Sequence, residues 1–306
     1  MDAMAPVSNP LFAALTFVLL SIAPVPAVAQ GGTAACTVVA SGRTGPIPDY
    51  YAWETTFSMA PTTDDALRDY LASDNASARV FREYATRATS RARAIRRQGP
   101  TPGVPAILLP DTELAAAETV LLERDAMTRA LPPEVATGLR RRVEEERQTL
   151  HFTVPQAGRE RRTASGRVRC EVAVSGKDFP QLVPEASYWE DFFVIKGAIA
   201  ARRRAVSGGI YDDDALALQR ALPLPIDALR EFYGFAEEAA SRIAKAANDA
   251  RAAGLSQDES RRHVDQVVLD ARDHLLRTLP PEHWLVVRAA AEQGRAGHKL
   301  YYRSVH

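Results

Sequence analysis

The chain has 306 residues, enough for one large domain or two ordinary ones. Apolar residues make up 46% and charged residues 25%, so a packed core is available and wholesale disorder is excluded. Lys+Arg and Asp+Glu both number 38; with zero net charge, nothing global points to nucleic acid as a partner.

Residues 1–29 carry one charged side chain, Asp2, and read as a secretory signal peptide. The apolar run from Leu11 to Ile22 is too short for a membrane span and exits through Ala27-Val28-Ala29. Cleavage is expected between Ala29 and Gln30. An uncleaved anchor is the alternative, because the segment lacks the usual basic start. Thr33-Ala34-Ala35-Cys36 matches a lipidation box only loosely. No later stretch reaches membrane-span length, so the expected product is exported, periplasmic or secreted, with no transmembrane segment.

The mature chain opens on an alternating stretch, Thr37 to Ala40, that reads as a short strand. A Pro-containing turn leads to a helix with Tyr50, Trp53 and Phe57 on one face. A basic helix is predicted over about 76–97, ended by Gly99-Pro100-Thr101-Pro102-Gly103. A third helix runs to Leu131. Leu131-Pro132-Pro133-Glu134 then starts a fourth, with Pro suited to the first helical position. Leu150 to Val154 turns to β-type residues, and Pro155 to Arg169 reads as a linker.

From residue 170 the pattern begins again. Cys36 to Arg43 aligns with Cys170 to Lys177, and Pro48 to Glu54 with Pro184 to Glu190. The second stretch then gains residues around Arg202-Arg203-Arg204 and Ser207-Gly208-Gly209. Leu121, Arg124, Asp125, Arg129 and Leu131-Pro132-Pro133-Glu134 match Leu269, Arg272, Asp273, Arg277 and Leu279-Pro280-Pro281-Glu282. Arg140, Glu144 and Arg147 match Arg288, Glu292 and Arg295. The fold expected is therefore mainly α: two tandem diverged helical-bundle units, each opened by a short β-strand. Unit 1 spans 30–154, the linker 155–169 and unit 2 170–306. In unit 2 the helices are expected over about 227–253, then from an N-cap at Ser256 to Leu279, then onward from Pro281.

The recurring charges have two readings. Asp125 with Arg129, and Asp273 with Arg277, have the i,i+4 spacing that stabilises a helix by roughly 0.2–0.5 kcal/mol. They read first as salt-bridged helix faces, and second as an Arg/Glu site for an anionic ligand. Trp53-Glu54 and Trp189-Glu190 admit sugar stacking, although Trp on the same face as Phe57 or Phe193 more often belongs to a core. Trp53, Glu54, Trp189, Glu190, Arg124 and Arg272 thus form the candidate ligand or partner face. The basic helix reads as solvated, or as a binder of an acidic partner or membrane surface. Asp212-Asp213-Asp214 lacks calcium-loop spacing and reads as a helix cap. The six histidines lack metal-ligand spacing. Cys36 and Cys170 are the only cysteines and occupy matched positions. Export favours a bridge between them; two separately buried thiols are the alternative.

Ile47-Pro48-Asp49 with Trp53 and Phe57, followed by Leu131-Pro132-Pro133-Glu134 with Leu139 and Arg140, resembles a group of exported bacterial proteins of no known activity. The resemblance covers most of each unit and implies export and a helical unit. It implies no catalytic residues.

No nucleophile elbow, P-loop, dinucleotide fingerprint or C-x-x-C occurs. The preferred expectation is a helical protein that binds an envelope protein or surface, with no catalytic residues and no cofactor. The alternatives are an envelope enzyme with a carboxylate/Arg site between the units, and a metal or stress-linked binder.

Overall fold

A computed structural model describes residues 35–43, 45–97, 110–154, 158–162, 168–208 and 212–305. The expected signal peptide and its Ala29–Gln30 cleavage site lie outside the described residues. In chain order the elements are β1 (Ala35–Cys36), β2 (Val39–Ser41), α1 (Asp49–Met59), α2 (Asp64–Leu71), α3 (Asn75–Arg97), α4 (Pro110–Ala130) and α5 (Pro133–Arg147). There follow β3 (His151–Thr153), β4 (Gly158–Arg162), β5 (Val168–Ser175), α6 (Glu185–Ser207), α7 (Asp212–Gln219), α8 (Ile226–Ala252), α9 (Gln257–Thr278), α10 (Pro281–Glu292) and β6 (Lys299–Val305). The fold is mainly α, as expected. Among the described residues no helix is long and apolar enough to cross a membrane.

The helix boundaries follow local chemistry. Pro48 and Pro184 stand at the starts of α1 and α6 with nearly the same backbone, φ −59°, ψ 140° and φ −58°, ψ 137°. Ser256 caps α9 through a full capping box with Glu259. At the two Leu-Pro-Pro-Glu corners, Leu131 N–H donates to Met127 O at 2.9 Å and Leu279 N–H to Leu275 O at 3.0 Å. The Pro that follows each cannot donate to the preceding helix, and the next Pro opens the new one. Leu131 and Leu279 are buried there. The three acids Asp212 to Asp214 form the first turn of α7 rather than preceding it. The extra residues after the second aromatic helix lengthen it: α6 has 23 residues where α1 has 11.

Opening and closing strands pair in matched registers. Ser41 faces His151 in the β2–β3 pair, and Ser175 faces Lys299 in the β5–β6 pair. Gly42 N–H donates to Leu150 O at 3.0 Å and Gly176 N–H to His298 O at 2.8 Å. A side chain on Gly42 would strike the carbonyl of Arg147, and one on Gly176 that of Arg295.

The stretch expected as a linker is part of the architecture. β4 lies within it and pairs antiparallel with both β1 and β5, giving a sheet of order β1-β4-β5-β6. The two cysteine strands are therefore not neighbours, as a direct two-fold pairing would have made them. The Cys36–Cys170 bridge is present, with Cα atoms 5.8 Å apart. It lies against Gly158 of β4, where a Cβ would collide with the sulfur of Cys170. Packing also ignores the 155–169 boundary. Cys170, Val172, Val174, Leu182 and Tyr302 belong to the core formed by α1 to α5. A second core joins α6, α8, α9 and α10. The described residues fall in one compact unit.

Two outcomes follow. Gly158→Val should leave both thiols open to alkylation in the non-reduced protein, because the branched side chain needs the space of the bridge. With a sequence separation of 134, removing the bridge by C36S/C170S should lower stability in urea by roughly 4–5 kcal/mol.

Candidate functional site

Two adjacent charged pairs, Arg124-Asp125 on α4 and Arg272-Asp273 on α9, meet where those helices touch. All four side chains are at most 4% exposed. Such burial is tolerated only when each charge is paired and hydrogen-bonded. Arg124 Nε donates to Asp125 Oδ1 at 2.9 Å, and both its terminal nitrogens grip Glu185, the Nη2–Oε1 contact being 2.9 Å. Arg272 Nη1 donates to Asp273 Oδ1 at 2.6 Å, and its Nη2 to Asp125. Arg140 of α5 closes on Asp273, with Nε–Oδ2 at 3.0 Å, and on Asp270. Arg288 of α10 approaches Asp125 Oδ2 at 3.8 Å.

An outer ring extends these contacts. Arg147 donates to Asp49 Oδ1 at 2.7 Å and to Ile47 O at 3.0 Å, and pairs with Glu144 at 3.0 Å. Asp49 Oδ2 accepts the Glu185 backbone N–H at 2.7 Å, joining the starts of α1 and α6. Arg295 pairs with Glu292 at 2.9 Å and Glu118 at 2.7 Å, and donates to the Tyr188 hydroxyl at 3.0 Å. Tyr188 in turn donates to Glu185 at 3.3 Å.

The expected Asp125–Arg129 and Asp273–Arg277 pairs are corrected by this arrangement, whereas Glu144 keeps Arg147 at 3.0 Å and Glu292 keeps Arg288 at 2.8 Å. Asp125 and Asp273 turn to arginines of the opposite half, and Arg129 Nη2 instead donates to Leu276 O at 2.8 Å. The physical reason is dielectric. A surface i,i+4 pair contributes tenths of a kcal/mol. An unpaired charge at the α4–α9 contact would cost several.

The candidate ligand or partner face does not exist as a surface. Trp53 is 3% exposed and Trp189 fully buried, the latter stacked on Trp284 at 5.4 Å. Arg124 lies over Trp53 at 5.9 Å, and Arg272 lies not over Trp189 but over its stacking partner Trp284 at 5.2 Å. Glu54 is held by Arg96, with Nη2–Oε2 at 2.8 Å, and Glu190 by Arg261 at 2.9 Å. Arg124 and Arg272 are the centre of the cluster. Sequence reasoning missed Glu185 as the partner of Arg124, and missed Asp49, Glu118 and Tyr188, which hold Arg147, Arg288 and Arg295 around it. The available signal was charge on an apolar stripe, since Arg272 lies between Val268 and Leu275.

The field divides the acids. Burial pushes Glu185 and Asp125 up, but neighbouring arginines, Arg124 and Arg272 foremost, hold both below the usual carboxylate range. Burial wins at Glu144 and Glu292, which are raised. Asp265 on α9 is pushed up to about 6 by burial, against Arg261, with Glu190, Glu144 and Asp49 adding to the rise. A cavity of about 10 Å³ opens among Arg140, Glu144, Glu185, Arg272 and Asp273. That is room for about one water molecule. Among the described residues, no group of three or more His, Cys, Asp or Glu is placed to hold a metal ion. No family model, curated protein or solved structure matches the chain.

Glu185→Gln should destabilise the protein by about 3–5 kcal/mol in urea melts, because Arg124 keeps its charge and loses its bidentate partner. Replacing both, as R124M/E185L, should cost less than either single change. Asp265 has the opposite sign. Its folded value of about 6 lies above the unfolded 3.8, so stability is higher below pH 4 and falls as pH rises to 6. Asp265→Asn should remove that fall and stabilise at pH 7 by about 1–3 kcal/mol.

Proposed function

We propose that this chain is an exported, disulfide-closed protein that binds an envelope protein or surface, and that its halves descend from one duplicated helical unit. The observation that carries the binding reading is the closed state of the charged cluster. The arginines and carboxylates of both halves converge, yet they neutralise one another around a cavity of about 10 Å³. Recognition then falls to the outside of the helices. The duplication reading draws on the matched strand registers, the matched proline corners and the matched glycines at Arg147 and Arg295. The bridge suits an oxidising compartment.

The basic helix fits this reading in a modified form. On α3, Ala78, Phe81, Ala85, Ala88 and Ala92 face the core. Arg82 is paired with Asp64, Arg87 with Glu83 and Glu123, Arg91 with Glu123, and Arg96 with Glu54 and Glu113. Arg79, Arg93 and Arg97 stand exposed. Much of the basic character is thus spent on neighbouring helices, which favours a protein partner over an anionic bilayer.

A second reading, an envelope enzyme with a carboxylate/Arg site between the halves, is favoured by one observation: those groups do meet between α4 and α9. Photo-crosslinkers placed at Arg93, Leu122 and Arg261 of the full chain in its own cell distinguish the two. Binding predicts a discrete adduct with one envelope component from a subset of positions. Turnover of an envelope polymer by the purified oxidised protein, abolished by Glu144→Gln without loss of fold, would replace it with the enzyme reading.

A further inference from the structure

We propose that the outer face of α6 is a self-association surface, pairing antiparallel with α6 of a second copy. The orientation of this helix is fixed from inside. Phe192, Phe193 and Ala200 are buried, and Gly197 lies so close to α8 that a Cβ there would fall 2.7 Å from Ala236 O. The opposite side is therefore held toward solvent. It is apolar over three turns: Val194 is 45% exposed, Ile195 57% and Val206 79%, with Ala198, Ala201 and Ala205 exposed between them. Val194, Ala198, Ala201 and Ala205 step by four, three and four, the spacing of a helix–helix seam. The alanines allow close approach, and the branched residues supply the apolar area.

Charge selects the occupant. Between 191 and 206 the exposed charges on this side are Asp191 and Arg202, since Arg204 turns to Glu237 at 2.8 Å. Asp191 is 62% exposed and also meets His298 Nε2 at 3.2 Å. Asp191 and Arg202 share one side of the helix, three turns or about 16 Å apart. Antiparallel self-pairing sets each Asp191 toward the partner's Arg202, and a parallel pairing sets like against like. The face carries one charge of each sign. It lacks the basic excess that draws a surface helix to anionic lipid, and its charge pattern is complementary to itself. A contact of one helix face is smaller than a standard interface, which places the pairing in the weak, transient class.

Sedimentation equilibrium of the full chain, bridge intact, over about 1–200 µM tests this. A monomer–dimer equilibrium is expected. Ile195→Asp should weaken it by roughly tenfold or more. Asp191→Arg and Arg202→Asp should each weaken it by about threefold, and the double swap D191R/R202D should restore it. A monomer throughout, a dimer indifferent to Ile195→Asp, or a dimer not rescued by the double swap would overturn the proposal. So would a monomer that binds vesicles of phosphatidylglycerol and phosphatidylethanolamine through Ile195, which would assign the face to a membrane.

Discussion

The structure depends on the mutual neutralisation of Arg124, Asp125, Glu185, Arg272 and Asp273 in the interior. Each is nearly inaccessible, and the Arg–Asp pair of each half is completed by groups from the other half. Asp125 needs Arg272, Asp273 needs Arg140, and Arg124 needs Glu185. Pulling the halves apart would strip Asp125 of Arg272, Asp273 of Arg140 and Arg124 of Glu185. The attraction need not be net stabilising relative to an apolar contact of the same shape. It makes the relative placement of α4 and α9 specific, because a displaced helix would strand a guanidinium in a dry place.

Around this centre the other constraints act in the same direction. The backbone N–H of Glu185 caps onto Asp49, so the beginning of one aromatic helix is tied to the beginning of the other. The sheet carries β4 between β1 and β5, and the bridge passes against Gly158. Val172, Val174 and Tyr302 then fill the core of the first half. Charge pairing, sheet pairing and apolar burial each cross the 155–169 boundary. A chain whose halves sat independently on a flexible tether would have none of these contacts.

The halves differ where surface chemistry differs. In the first, Arg96 of α3 sits between Glu54 and Glu113; in the second, Arg261 of α9 sits between Glu190 and Asp265. Each aromatic helix thus keeps a bridged glutamate, but the arginine comes from a different helix. The second half alone has the extended α6 with its apolar outer side.

Local chemistry determined a good deal by itself. Prolines at 48, 132, 184 and 280, the Ser256 cap and the Tyr50-Trp53-Phe57 stripe fix where helices begin and which side of the first faces inward, because those effects act within one or two turns. The equivalence of Cys36 and Cys170 made a bridge the natural reading in an oxidising setting. What local chemistry could not determine was the partner of each charge. An Asp four residues before an Arg looks the same whether it faces water or the guanidinium of another helix. The energy that decides between them arises only when burial lowers the dielectric and brings Arg272 beside Asp125. Trp53 and Trp189 read as core before ligand platform, but only tertiary packing sets Arg124 over Trp53 and stacks Trp189 on Trp284 beneath Arg272. The strand at 158–162 was hidden too, since an arginine-rich stretch becomes a strand only when β1 and β5 stand on either side to take its hydrogen bonds.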